Sequence, residues 1–143
     1  MSISLLQPVV VLVCWSLVML LWMIGTRIPA LKAAGIDLKG RRGGRPGGLD
    51  GILPDEIQWK AHNYIHLMEQ PTLFYAIVLT LALLGAGDPF NVALAWGYAL
   101  LRVAHSLVQA TVNIIPIRLT LFALSSLCLI GLAARVAMTV FSG

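Results

Sequence analysis

Four predominantly apolar segments alternate with shorter polar ones along the chain, at about residues 3–27, 55–84, 92–115 and 117–141. Each is long enough to cross a membrane as a helix, which takes about 20 mostly apolar residues. The pattern therefore predicts an all-α fold, an integral membrane four-helix bundle that forms one membrane domain over residues 1–143.

The composition agrees with this prediction. The chain is 59% hydrophobic and only 11% charged, whereas soluble domains carry roughly 25% charged residues. The first apolar segment has no charged residue before Arg27, and its length favours a retained anchor helix over a cleaved signal peptide. Cys14 and Cys128 both lie inside apolar runs, so we interpret them as packing residues rather than as a disulfide framework.

The one long polar segment covers residues 30–54, and glycine is dense in it. Six of the ten Lys and Arg residues lie between Arg27 and Arg45. We expect a solvated loop that contacts anionic membrane lipid. The alternative is a phosphate-binding loop, although the GxxxxGK[ST] pattern is absent. No other stretch offers a basic surface, so we predict no nucleic-acid partner.

This basic loop also predicts an orientation in the membrane. Basic loops are retained on the cytoplasmic side, and the short turn before Arg118 lies on the same side of a four-helix bundle. Both termini and the turn at residues 85–91 are then periplasmic or lumenal. At the mouth of the loop, Arg27 could extend to lipid phosphates or bind an anion at the entrance of a site.

The second apolar segment begins with a polar stripe. His62, His66 and Glu69 follow one another at i, i+4 and i+7, which places them on one helical face. Ionisable groups at membrane depth face other helices or a site rather than lipid. Pro71 lies inside the same segment, where we expect it to kink the helix.

The third segment carries a matching stripe, Arg102, His105 and Gln109, at i, i+3 and i+7. A lone arginine in mid-membrane costs at least about 2.5 kcal/mol on insertion scales, so it needs a partner. Glu69 is the only acid at a comparable depth. We therefore predict an ion pair between Glu69 and Arg102, which either locks the bundle or belongs to a site.

Three short motifs on these helices resemble the MAPEG family, the membrane-associated proteins in eicosanoid and glutathione metabolism. Arg102-Val103-Ala104-His105 and Pro116-Ile117-Arg118 look like its third helix and the start of its fourth, closest to the microsomal prostaglandin E synthase and glutathione transferase type. His66-Leu67-Met68-Glu69 looks like the NxxE motif of its second helix. The resemblance covers essentially the whole chain.

The resemblance implies a homotrimer that binds glutathione in a U shape between subunits, near the cytoplasmic side. Arg118 would match the catalytic arginine that stabilises the glutathione thiolate, since a guanidinium near a thiol lowers its pKa. Glu69 would contact the glutathione amine or pair with Arg102. Either Lys60 or His62 could stand for a family arginine. The candidate glutathione-binding residues are Arg27, Lys60, His62, His66, Glu69, Arg102, His105 and Gln109.

Several positions depart from the family pattern. His66 stands where the family has Asn, and Gln109 where many members have Tyr. Leu119 and Phe122 replace hydroxyl-bearing residues of the prostaglandin branch.

These departures leave three functions open. The chain could be a glutathione-dependent transferase or peroxidase acting on hydrophobic electrophiles. It could instead be a non-catalytic trimeric scaffold, a lipid-binding protein or an accessory subunit of a larger membrane complex. The third is an intramembrane metal site built from histidines and a carboxylate, although we assign no residue as a metal ligand.

Overall fold

The computed structural model describes residues 1–142, and every regular element in this range is a helix. The helices are α1 (Ile3–Ala33), α2 (Asp55–Leu67), α3 (Gln70–Leu83), α4 (Pro89–Thr111) and α5 (Ile115–Phe141). Because α2 and α3 together make one crossing, the chain crosses the bundle four times. The predicted all-α membrane bundle is confirmed.

The second crossing is broken at Met68 and Glu69, slightly before the expected kink at Pro71. Pro71 lies in the first turn of α3, where its missing N–H leaves no hydrogen bond unmade. On the α3 side of the break, the Thr72 hydroxyl donates to the Glu69 carbonyl at 2.7 Å and stabilises the start of α3. The helix thus stops and restarts rather than bending around the proline.

The first helix runs six residues beyond Arg27, and Pro29 lies inside it rather than at its exit. The residue that stops the helix after Ala33 is Gly35, which has a positive φ of 65°. The N–H of Ile36 donates to the carbonyl of Leu31 at 3.0 Å, the bond that defines a Schellman motif. The glycine, not the proline, therefore ends α1, and the loop begins correspondingly later.

Helix α4 starts at Pro89, earlier than the predicted residue 92, because Asp88 caps it. The Asp88 carboxylate accepts hydrogen bonds from the N–H groups of Phe90 and Asn91, both at 3.1 Å. Pro89 then takes the first helical position, which suits its fixed φ. At its other end α4 stops at Thr111, short of the predicted residue 115, because Asn113 adopts a left-handed conformation.

The core lies where α4 packs against the other three crossings. Phe74 of α3 and Tyr98 of α4 stack with ring centroids 4.4 Å apart, and both are fully buried. Ala95 and Ala99, also fully buried, let the neighbouring helices approach α4 closely. From α1, a stripe at seven-residue spacing completes the core: Leu5, Leu12 and Met19.

Specific contacts identify which segments share each end of the bundle. At one end, the N–H of Ser2 donates to the Ala82 carbonyl at 3.0 Å. At the other end, the Lys60 ammonium donates to the Ala110 carbonyl at 3.3 Å and lies 5.3 Å from the Trp22 ring centroid. The basic loop and the start of α5 therefore occupy the same end.

Three helical segments are long and apolar enough to span a membrane, namely Ile3–Ala33, Asp55–Leu83 and Ile115–Phe141. In the first and third, only 17% of the most apolar window is buried, so most of their apolar surface faces outward. Helix α4, which carries Arg102, His105 and Gln109, is not among these three segments. The outward surfaces of α1 and α5 are thus largely apolar, whereas the polar side chains of α4 are buried, as in an integral membrane protein.

Candidate functional site

A cleft of about 340 Å³ opens between α2, α4 and α5, close to the end that carries the basic loop. It brings together three of the residues that the sequence singled out, one from each helix. The remaining walls are aliphatic or aromatic. The lining residues are His66, His105, Ile115, Arg118, Leu119 and Phe122.

Two imidazoles and one benzene ring form the back of the cleft. The ring centroids of His66 and His105 are 5.1 Å apart. Phe122 stacks on His66 with a centroid distance of 5.6 Å and an interplanar angle of 21°. Phe122 therefore orients His66, a role that its apolar character alone did not predict. The result is an apolar wall with imidazole nitrogens at its edge.

Arg118 supplies the cationic side of the cleft, and Asn113 holds it. The guanidinium NH1 of Arg118 donates to Asn113 Oδ1 at 2.5 Å. The Nε of Arg118 is buried and has no hydrogen-bond partner in the described part of the chain. One terminal nitrogen of this guanidinium is thus fixed by the protein, while the other, NH2, makes no hydrogen bond within residues 1–142.

Asn113 can hold Arg118 because of the unusual backbone between α4 and α5. Its φ is +51°, the only positive φ of a non-glycine residue within residues 1–142. Asparagine tolerates this left-handed conformation better than most residues do. Its N–H donates to the Val108 carbonyl at 2.7 Å, which closes the end of α4. The Asn before Ile114-Ile115-Pro116 was the available signal, and sequence reasoning missed it.

The predicted ion pair between Glu69 and Arg102 is wrong. Glu69 Oε2 lies 3.0 Å from His66 Nδ1 instead, and its side chain is 63% exposed. Arg102 is fully buried and donates from its NH2 to the His66 carbonyl at 3.3 Å. The break before α3 turns Glu69 outward and leaves carbonyls at the end of α2 without helical partners, so the cation binds there.

Arg102 also adjoins the cleft from behind. Its guanidinium carbon lies 5.6 Å from the Phe122 ring centroid, within reach of a cation–π interaction. Its Nε and NH1 are buried without a hydrogen-bond partner among residues 1–142. Such buried charge is costly, and it contributes a positive field to the cleft without lining it.

His62 leaves the stripe that the sequence predicted and binds the loop instead. Its Nε2 lies 3.0 Å from Asp50 Oδ1. Gln58, four residues earlier on α2, donates to the same oxygen at 2.7 Å. The hydrogen bond from Gln58, followed by the effects of His62 and Arg27, holds the pKa of Asp50 below its ordinary value. Asp50 thereby fastens the end of the basic loop to α2.

The other predicted contacts also lie outside this cleft in a single protomer. Lys60 donates to the Glu56 carbonyl at 2.8 Å as well as to that of Ala110. Gln109 is buried and does not line the cleft. Arg27 lines two other cavities, beside the basic loop.

The hypothesis of a metal site gains nothing from the geometry. The described residues contain no group of three or more His, Cys, Asp or Glu side chains arranged to hold a metal ion. His62 is directed to Asp50, whereas His66 and His105 face Phe122. The candidate ligands are therefore divided between two places.

Two buried polar networks were not predicted. The Ser106 hydroxyl accepts hydrogen bonds from Trp15 Nε1 at 2.8 Å and from Asn63 Nδ2 at 2.6 Å, which ties α1 and α2 to α4. Small hydroxyl residues at helix interfaces commonly serve this purpose in membranes. A serine inside an apolar run gives no sign of which helix it will bond.

The second network joins the other side of α4 to α3 and α5. The Tyr98 hydroxyl donates to Gln70 Oε1 at 3.2 Å. Gln70 Nε2 donates in turn to the Ser126 hydroxyl at 2.9 Å. Because Gln70 is the first residue of α3, this network fixes where the second crossing restarts.

Comparison with known proteins gives one match. The model of the MAPEG family matches residues 5–138, which include every residue that lines the cleft. No curated protein and no solved structure matches the chain.

Proposed function

The chain belongs to the MAPEG family, and on this basis we propose that it is a glutathione-dependent membrane enzyme, a transferase or peroxidase acting on hydrophobic electrophiles. Members of the family generally use glutathione. The observation that carries the proposal is Arg118, whose guanidinium is held by Asn113 at the edge of a cleft otherwise lined by two histidines and apolar side chains.

Arg118 would act on the thiol of glutathione. A guanidinium beside a thiol stabilises the thiolate and lowers its pKa, and the thiolate is the nucleophile. In a transferase reaction its sulfur forms a bond to an electrophilic carbon. Either a leaving group departs with the electron pair of the broken bond, or a conjugated double bond opens and its far end takes up a proton. In a peroxidase reaction it attacks a hydroperoxide oxygen, and a second glutathione releases the product as a disulfide, with an alcohol and water as the other products.

The cleft walls indicate where the second substrate binds. Ile115 and Leu119 are exposed apolar residues at the start of α5, next to the surface that faces lipid. A hydrophobic electrophile that partitions into the bilayer would enter along these side chains. His66 and His105 would then contact the polar part of glutathione, and the exposed Glu69 carboxylate would accept its amine.

A homotrimer is part of this proposal. Arg27, Lys60 and His62 do not reach the cleft within one protomer, and the resemblance implies a glutathione site between subunits. The outward apolar faces of α1 and α5 offer surface for both lipid and a second copy. We also propose that both termini are periplasmic or lumenal and that the basic loop is cytoplasmic.

The test is glutathione binding to the full chain in detergent, measured by calorimetry. We expect a dissociation constant between about 1 μM and a few mM, weakened at least tenfold in Arg118→Ala. Arg41→Gln is the matched control, because it also removes one positive charge but lies outside the cleft. The proposal fails if the wild-type chain does not bind glutathione, or if Arg118→Ala binds as well as Arg41→Gln.

A second function is favoured by one observation. No Ser, Thr or Tyr lines the cleft, since Leu119 and Phe122 occupy the positions where the prostaglandin branch has hydroxyl groups. An apolar cleft without a hydroxyl suits a lipid-binding scaffold or an accessory subunit of a larger complex. Co-purification of a stoichiometric partner from native membranes, with no glutathione binding, would support this function over the enzyme.

A further inference from the structure

A larger cavity, of about 750 Å³, lies between the basic loop and the end of α1. Four arginines are among the residues that line it, namely Arg27, Arg41, Arg42 and Arg45. Arg27 comes from α1 and the other three from the loop, so the cavity lies between the loop and the bundle. It shares no lining residue with the cleft that contains Arg118.

The positive charge in this cavity is not neutralised by the protein. The ion pairs found within residues 1–142 are His62 with Asp50, His66 with Glu69 and Arg135 with Asp88, and none includes these four arginines. Two acids adjoin the lining residues in sequence, Asp37 and Asp50. The Asp37 Oδ1 accepts a hydrogen bond from the N–H of Lys39, and the Asp50 Oδ1 is bound by Gln58 and His62. Four like charges around one space repel each other unless an anion enters.

The backbone of the loop also suits an anion. Gly43, Gly44 and Gly48 lie on the same wall, and an added Cβ at Gly43 or Gly44 would meet nothing within 4 Å. The N–H groups of residues 42–44 make no hydrogen bond to another described residue. Main-chain N–H groups in glycine-rich segments are common donors to phosphate oxygens.

Two leucines add an apolar surface beside these donors. Leu38 and Leu49 line the cavity, and Leu38 is 60% exposed. A small soluble anion has no apolar surface to bury against these leucines, whereas the glycerol and acyl portion of a lipid does. Because Arg27 is the first charged residue after a long apolar run, we place the cavity at the depth of the lipid headgroups.

We propose that this cavity binds a phosphate group through Arg27, Arg41, Arg42 and Arg45. The phosphate belongs either to the headgroup of an anionic phospholipid or to a soluble phosphate compound, and the leucines favour the lipid. Guanidinium groups bind phosphate oxygens in a bidentate manner, and several of them can share the oxygens of one phosphate group. The site does not depend on glutathione chemistry, because its residues in the loop lie outside the cleft.

The experiment titrates the detergent-purified full chain with three probes and follows binding by thermophoresis. The probes are dihexanoyl phosphatidylglycerol, inorganic pyrophosphate and, for comparison, zwitterionic dihexanoyl phosphatidylcholine, all below their micellar concentrations. The double variant Arg41→Gln/Arg42→Gln removes two cavity charges. Its matched control, Lys32→Gln/Lys39→Gln, removes the same charge from the same region but off the cavity wall.

We expect phosphatidylglycerol to bind at least tenfold more tightly than phosphatidylcholine. The arginine double variant should lose at least tenfold in affinity, and the lysine control less than threefold. If pyrophosphate binds tightly and phosphatidylglycerol does not, the proposed phosphate site is supported and its ligand is a soluble phosphate compound. Binding of neither anion, or equal losses in the two double variants, overturns the proposal. Glutathione binding by the arginine variant should equal that of the wild type. The phosphate site and the proposed glutathione site can then be tested independently.

Discussion

The NH2 group of Arg102 donates to the main-chain carbonyl of His66 across 3.3 Å. His66 is the second-last residue of α2, so its carbonyl belongs to the last turn, where the helix dipole is negative. A fully buried cation of the central helix thus binds the end of a neighbouring helix rather than a carboxylate. The arrangement needs the break at Met68 and Glu69, and it leaves Glu69 at the surface, where it pairs with His66.

The first prediction concerns Glu69. Because its side chain is 63% exposed and pairs with His66, Glu69→Gln should change the free energy of unfolding by less than about 1 kcal/mol. Thermal unfolding in detergent, followed by circular dichroism, measures the effect, with the exposed Glu56→Gln as control. A loss several times larger in Glu69→Gln alone would show that the carboxylate does neutralise Arg102.

The second prediction separates two roles of Asn113. Asn113→Ala places an ordinary residue at a φ of +51°, which costs roughly 1–2 kcal/mol, and it also releases Arg118. Asn113→Gly removes the amide without the strain. We expect both variants to lose about tenfold in glutathione affinity, as for a lost hydrogen bond to a charged group, but only the alanine variant to lose stability. If Asn113→Gly keeps full affinity, Asn113 does not position Arg118.

The third prediction is a dependence of stability on pH. The hydrogen bond from the Asn91 backbone is the main cause that lowers the pKa of Asp88 below its ordinary value of 3.8, and Arg135 adds to it. A carboxyl with a lowered folded-state pKa stabilises the fold above its unfolded pKa, and this stability is lost as the pH falls through the folded value.

Asp88→Asn should therefore lower the melting temperature at pH 7, and the gap to the wild type should narrow steadily below about pH 4. Differential scanning fluorimetry in detergent from pH 7 to pH 3 tests this. Glu56→Asn serves as a control because Glu56 makes no ion pair within the described residues. A gap that stays constant over the whole range would contradict the role assigned to the carboxylate.

The fourth prediction concerns the close contact between Gly87 and Ser2. A Cβ at position 87 would lie 1.7 Å from the Ser2 hydroxyl oxygen and 2.4 Å from its Cβ, so Gly87→Ala must displace the N-terminal residues. We expect a loss of about 1–3 kcal/mol, as for other overpacked sites. Gly25→Ala, which meets nothing within 4 Å, should be neutral or slightly stabilising.

The double variant Ser2→Gly/Gly87→Ala tests the cause of that loss. Replacement of Ser2 removes both atoms that the new methyl group meets, so the double variant should recover most of the stability lost in Gly87→Ala. Failure of this rescue would mean that position 87 requires glycine for its backbone and not for space.

The number and place of the crossings could be predicted because they depend on the length of apolar runs, which is a local property. The polar face of α4 could be predicted for the same reason, since Arg102 and His105 follow helical spacing. The exact helix ends could not, because they depend on which of several signals prevails. Helix α1 continues through Pro29 and is stopped by Gly35, and α4 begins where the Asp88 carboxylate caps it.

The site was harder to predict because its contacts join distant segments. Helical spacing places His62 and Glu69 on one face only while the helix stays continuous, and the break at Met68 ends that continuity. The bond of His62 to Asp50 needs a loop that folds back onto α2. The role of Asn113 depends on a single backbone angle, which a hydrophobic pattern does not report.

The polarity of α4 has a consequence for how the chain is made. The crossings are synthesised one at a time, and α4 is not among the three segments that are long and apolar enough by themselves to span a membrane. A helix with a central arginine enters lipid poorly by itself. Its polar groups find their partners on crossings made both earlier and later, since Ser106 binds Trp15 and Asn63 while Arg135 binds Asp88. The position of α4 in the membrane is therefore stabilised by contacts with crossings on both sides of it in the chain.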